Sequence, residues 1–179
     1  RGSVFKRYEK YDLALADYCK AIELDPEYAD YYNLRASVYR NLNQEEKTLL
    51  DYTKAIELDP DNQNIWYGRG YAYYHFNRYT EALDDFQKVL ELDSLNGDAI
   101  TYIGVIYQDQ GEIDMAIQTY EQGIALEKID PQSASYSFRN RGSIYESQEK
   151  YNLALTDYTK SIQLDSNNPF RLFNIFIFF

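Results

Sequence analysis

Cysteine, histidine and positive charge are scarce in this chain, and each shortage removes a class of function. A single cysteine, Cys19, can close no internal disulfide and complete no CxxC metal site, which fits a reducing compartment and a cytoplasmic setting. With one histidine, His75, beside that one thiol, neither a His-based catalytic triad nor a zinc site is readily assembled. No glycine-rich phosphate loop of the P-loop type and no HExxH occurs. His75 therefore reads as a groove or surface residue and Cys19 as an incidental thiol. No catalytic residue, cofactor or metal is expected, and the chain reads as a non-enzyme. Lys and Arg number 18 against 29 Asp and Glu, a formal charge of −11. Nucleic acids and anionic membranes are held by basic patches, so neither is an expected partner. The sequence opens on Arg1 with no basic segment leading into an apolar run, which reads as a missing N-terminus together with any targeting signal.

Large apolar groups are plentiful: 45% of residues are hydrophobic and 17% aromatic, enough for a packed core. They recur with a period. DYCKAIELDP at 17–26 returns 34 residues later as DYTKAIELDP at 51–60. DFQKVLELDS follows after the same interval, and DYTKSIQLDS after a TYEQGIALEK unit whose trailing loop reads as about four residues longer. Aligned on this period, small residues fall at Gly2, Ala36, Gly70, Gly104 and Gly142, and again at Ala14, Thr48, Ala82, Ala116 and Ala154. Recurrent glycine inside a helical pattern implies a close helix–helix approach, because it costs roughly 0.5–1 kcal/mol relative to alanine. Large residues fill the complementary columns: Phe5, Tyr39, Tyr73, Tyr107 and Tyr145; Tyr18, Tyr52, Phe86, Tyr120 and Tyr158; and Leu24, Leu58, Leu92, Leu126 and Leu164. Helical spacing within one unit, Trp66–Gly70–Tyr73 and then Tyr79–Ala82–Leu83–Phe86–Leu90, makes each unit two amphipathic helices. Pro26 and Pro60 end the second helix of their units.

Two charged columns vary together. Arg1, Arg35, Arg69 and Arg141 share a first-helix column with Ile103, and Asp17, Asp51, Asp85 and Asp157 share a second-helix column with Thr119. Both charges vanish in the same unit. The pattern predicts an Arg–Asp ion pair across each helix hairpin; the competing reading is unrelated solvated charges.

At these columns the sequence resembles the tetratricopeptide repeat, with its aromatic, small, tyrosine, alanine, aromatic, small and proline positions over 34 residues. The resemblance covers a truncated unit (1–28), four complete units (29–62, 63–96, 97–134 and 135–168) and leaves an apolar tail (169–179). It implies an all-α, right-handed superhelical solenoid of antiparallel helix pairs, because one hairpin cannot bury its own apolar face. It also implies a concave groove lined by the first helix of each unit. The lining residues would be Asn33, Ser37, Arg40, Tyr67, Tyr71, Tyr74, His75, Thr101, Gln108, Tyr136, Arg139, Asn140 and Ser143. Tyr67, Tyr71 and Tyr74 stand at i, i+4 and i+7 on one face and suit peptide contact; the alternative is that their rings pack between neighbouring units.

For function, the resemblance implies a scaffold that holds a protein or extended peptide in the groove, with no chemistry of its own. The alternative is the regulatory or substrate-recruiting part of a larger enzyme. Some members grip a terminal carboxylate with Lys, Asn and Arg on successive first helices. The corresponding positions here are Asn33, Ser37, Gly68, Asp98 and Tyr102, or one unit later Tyr67, Tyr71, Tyr102, Tyr136 and Asn140, and neither set contains a cation. Acidic tails are thus disfavoured, and a neutral or basic ligand is expected. The tail carries five phenylalanines in eleven residues, too short a run to cross a bilayer. Leu172, Ile175 and Phe179 fit the start of a further first helix, whereas Phe176 stands where a small residue belongs. The segment reads either as a truncated or misread terminus or as a docking segment. An exposed apolar end would favour self-association.

Overall fold

The structure, a computed structural model, describes residues 2–165, with side chains from Lys10 onward. The expected pairings of Arg1 and the readings of residues 169–179 lie outside the described residues. Every regular element within them is an α-helix. The helix α1 (Gly2–Leu24) is followed by the pairs α2 (Ala29–Asn41) with α3 (Glu45–Leu58) and α4 (Gln63–His75) with α5 (Tyr79–Leu92). Next come α6 (Gly97–Asp109) with α7 (Ile113–Ala125), and α8 (Pro131–Ser147) with α9 (Tyr151–Leu164). The chain divides into two compact units between Asp93 and Ser94, so α1–α5 belong to the first and α6–α9 to the second.

All four hairpin turns are built alike. Asn43, Asn77, Gly111 and Glu149 each take a left-handed backbone, with φ between 57° and 79°. In each turn the residue after it donates its N–H to a first-helix tyrosine carbonyl: Gln44 to Tyr39, Arg78 to Tyr73, Glu112 to Tyr107 and Lys150 to Tyr145. This satisfies carbonyls that the helix end would leave orphaned. Asparagine and glycine adopt that backbone at little cost, whereas Glu149 carries a penalty of about 1 kcal/mol or more.

Two details depart from the periodic reading. The first 28 residues show no hairpin turn, because α1 runs unbroken through Glu9, the position equivalent to Asn43. A left-handed glutamate at that position would carry a penalty of about 1 kcal/mol, which the unbroken helix avoids. The extra four residues near 130 also do not lengthen a loop. They add a turn to the N-terminus of α8, which begins at Pro131 rather than at 135 and has 17 residues where α2, α4 and α6 have 13. The cause is a local start signal: Asp130 caps the helix by accepting the Ser133 N–H, and Pro131 occupies the first turn.

The small and large columns become the core. Ala36, Ala82, Ala116 and Thr48 are fully buried, as are Tyr52, Phe86 and Tyr120. Each of these rings gains roughly 1.5–3 kcal/mol from leaving water. At Gly104 the approach is closest to the expectation, since a Cβ there would stand 2.5 Å from Cε1 of Tyr120. The leucine column is mixed: Leu126 is buried and Leu58 packs on the core, but Leu24 is exposed.

The charged columns do form ion pairs. Arg35 Nε and Nη2 each donate to Asp51 at 2.7 Å, Arg69 pairs with Asp85 at 2.8 Å, and Arg141 pairs with Asp157 at 2.8 and 2.9 Å. Each arginine also points Nη1 at the helix before its own hairpin, toward Cys19 of α1, Thr53 of α3 or Glu121 of α7, at 3.4–3.5 Å. Thus one guanidinium ties its own hairpin to the helix before it. In the α6–α7 hairpin, Ile103 is buried and the Thr119 hydroxyl donates to the Met115 carbonyl at 2.8 Å, so both charges are replaced by self-sufficient side chains.

Candidate functional site: the first-helix faces

In the N-terminal unit the first-helix face is set by packing of α2 on α4. Tyr52 of α3 forms its floor, with its ring lying under Gly68 of α4. Burial holds the Tyr52 phenol above its ordinary pKa, and the charge of Arg40 acts against that shift. The Arg40 guanidinium lies over the Tyr71 ring at 4.6 Å from its centroid, which joins the two first helices by a cation–π contact. Tyr71 and Tyr74 follow at 6.4 Å between centroids, and Tyr74 reaches Tyr79 of α5 at 6.0 Å.

Tyr67 is different. It meets the buried Phe86 edge-on at 5.6 Å, so one side of its ring belongs to its own hairpin's core. All three tyrosines are half-buried, which lets one side pack while the other faces outward. The two readings of these rings are therefore not exclusive. Asn33 and Ser37 are half-buried on α2, where the Ser37 hydroxyl donates to the Leu34 carbonyl at 2.7 Å. His75 is exposed, its ring 5.1 Å from that of Phe76. Sequence reasoning missed Tyr79, because its column otherwise holds Tyr11, Glu45, Ile113 and Tyr151 and carries no common signature.

In the C-terminal unit the expected residues separate. Thr101 is not available as a lining residue: it is buried, donates to the Gly97 carbonyl at 2.9 Å and lies 3.2 Å from the Ser137 hydroxyl. Small side chains of α8 let it approach α6 closely here, and the extra turn extends that contact. That turn lies on the start of α6, where Ser133 donates to Asp98 at 3.0 Å and small side chains permit close approach. Gln108 is held against α7 by accepting from the Tyr120 hydroxyl at 3.0 Å. On α8, Tyr136 carries the Arg139 guanidinium over its ring at 5.1 Å, with Arg139 and Ser143 exposed and Asn140 half-buried.

These groups can stack on a ligand and exchange hydrogen bonds with it. Among the described residues no three His, Cys, Asp or Glu side chains stand together as a metal site, and no helix is long and apolar enough to cross a membrane.

Family models place the chain directly. Two described as tetratricopeptide repeat match residues 64–94 with 135–168 and residues 99–130, and one described as TPR repeat matches 2–43 and 36–75. The chain belongs to the tetratricopeptide-repeat family. Among curated proteins no sequence matches. Solved tetratricopeptide folds resemble it closely: MamA, at 22% identity and a TM-score of 0.72, covers 89% of this chain and 91% of its own. The tetratricopeptide protein YrrB, described as having an unusual peptide-binding site, gives 22% identity, a TM-score of 0.63, and coverage of 97% and 87%. PilF of Pseudomonas aeruginosa gives 20% identity, a TM-score of 0.73, and coverage of 98% and 81%. The tetratricopeptide chain is thus an all-α solenoid of helix pairs.

Proposed function

We propose that this chain is a protein-interaction scaffold that holds an extended peptide against the first-helix faces of its repeats. The observation that carries the reading is the continuous run Arg40–Tyr71–Tyr74–Tyr79, in which half-buried rings offer apolar surface with hydroxyl handles. Such rings are held in place by their packed sides, so a ligand orders few further side chains on binding. Tyr136, Arg139, Asn140 and Ser143 offer a second, more polar contact set in the C-terminal unit. The description of YrrB as a peptide binder on the same fold supports the class of ligand. The net charge of −11 favours a neutral or basic peptide over an acidic one or a nucleic acid.

The reading is tested by screening the full chain against an array of neutral, basic and acidic peptides, then repeating the screen with Tyr71→Ala. Selective capture of neutral or basic peptides, lost in a variant whose helicity is unchanged, is the expected outcome. Capture of acidic peptides alone, or capture indifferent to Tyr71, contradicts it.

A further inference from the structure

In a chain with 29 acidic side chains, an arginine without an acidic partner is an exception. Six arginines lie among the residues whose side chains are described, and Arg35, Arg69, Arg78 and Arg141 are all held by carboxylates. The other two, Arg40 and Arg139, pair with no carboxylate among the described residues. Each instead lies over a tyrosine ring on a first-helix face, Arg40 over Tyr71 at 4.6 Å from the centroid and Arg139 over Tyr136 at 5.1 Å. Arg139 is the exposed one, so its guanidinium is steadied by a ring and open to a ligand.

Two turns further along α8, the same face carries the opposite charge. Glu146 is exposed and belongs to the column of Arg40, Tyr74 and Gln108. Its setting matches that of Gln108. As Gln108 accepts from the Tyr120 hydroxyl at 3.0 Å, Glu146 Oε2 accepts from the Tyr158 hydroxyl of α9 at 2.6 Å. This bond orients the carboxylate, while Oε1 meets no donor among the described residues. Residues 139, 143 and 146 stand at i, i+4 and i+7, so the two charges share one face with Asn140 and Ser143 between them. Seven helical residues separate them by about 10.5 Å along the axis, too far for one to neutralise the other directly. An extended peptide advances about 3.3 Å per residue, so three of its residues cover that distance.

We propose that this α8 face reads charge spacing: it takes an extended, overall neutral peptide whose acidic and basic side chains lie three residues apart, the acid on Arg139 and the base on Glu146. The inference rests on the peptide-scaffold reading above and names the ligand class of its C-terminal contact set. Two acids or two bases at the same spacing would set one of them against a like charge, which sharpens the choice. Steadied by their aromatic neighbours, both side chains lose little freedom on pairing, and the Asn140 amide can exchange hydrogen bonds with the peptide backbone.

The test is calorimetry of the full chain with short peptides of Ser, Gln and Ala that carry one Asp and one Lys, varied in spacing and in order. Asp-x-x-Lys or Lys-x-x-Asp, whichever order suits the direction in which the peptide runs, should bind about fivefold tighter than the same residues placed side by side. That is the upper range for one additional exposed charge pair. Arg139→Ala or Glu146→Ala should remove the advantage, and Arg139→Lys should keep most of it. The exchange Arg139→Glu with Glu146→Arg should transfer it to the reverse order. Both positions are exposed, so helicity should be unchanged in every variant. Affinity indifferent to spacing, or a preference that the exchange does not transfer, overturns the inference; if Tyr71→Ala still weakens binding in that case, the scaffold reading stands. No binding of any peptide overturns both.

Discussion

Arg69 and Asp85 face each other across the α4–α5 hairpin through two parallel hydrogen bonds of 2.8 Å, and both side chains are largely withdrawn from water, at 15% and 4% exposure. The guanidinium also lies 5.0 Å from the Trp66 ring centroid and 5.6 Å from that of Tyr73. Burial works against the Arg69 charge, but the bonds from Asp85 prevail and raise its pKa. Removing one partner strands the other in a low-dielectric site. Asp85→Ala should therefore cost about 3 kcal/mol, while Arg69→Met with Asp85→Leu should recover most of it. The exposed Arg78–Glu81 pair should show coupling below about 0.5 kcal/mol. Urea titrations of these variants, and of the single and double alanine variants of Arg78 and Glu81, measure both.

The α6–α7 hairpin offers the reciprocal experiment. Ile103→Arg alone should destabilise by several kcal/mol, because it buries a charge with only the neutral Thr119 opposite. Adding Thr119→Asp should restore a large part of the loss. Thermal melts of the single and double variants would show whether the two columns act as one unit; an additive result would refute that.

The four left-handed turn residues predict opposite effects of similar size. Glu149→Gly should raise stability by about 1 kcal/mol, since it removes the penalty of a left-handed glutamate. Gly111→Ala should lower it by about the same amount, although no atom crowds that position. Equilibrium denaturation of the two variants decides the point.

Most of the fold is legible because the period writes each structural role five times over. Small residues opposite large rings can be paired from their recurrence, and arginine opposite aspartate from their shared absence at Ile103 and Thr119. The start of α8 is misplaced by the period because alignment on the repeat outweighs a local signal, Asp130 followed by Pro131. Thr101 looks like a lining residue because its contact with Ser137, on the next first helix, is not written in the period. The partnership of Arg40 with Tyr71 is not legible, since two residues 31 apart on separate helices share no period. Nor is the turn from Tyr74 to Tyr79, where ring direction rather than spacing decides the contact.

Tyr52 contributes a loss of stability at high pH. Its pKa is raised in the folded state by burial, so folding favours the neutral phenol. Stability is therefore intact below the ordinary tyrosine value of about 10 and falls as pH rises through the folded value. Tyr52→Phe should retain more of its neutral-pH Tm at pH ~11 than the parent does, measured by circular dichroism.

The proposed function has an extended peptide bound on the first-helix face of the N-terminal unit through Tyr71 and Tyr74. The most direct measurement is the Kd of the full chain for the best peptide from the array, by calorimetry, compared with Tyr71→Ala and with the surface control Leu50→Asp. A loss of at least about tenfold for Tyr71→Ala, with the control unchanged, is the predicted result. Equal affinity in all three proteins, with helicity and Tm preserved, would contradict the account.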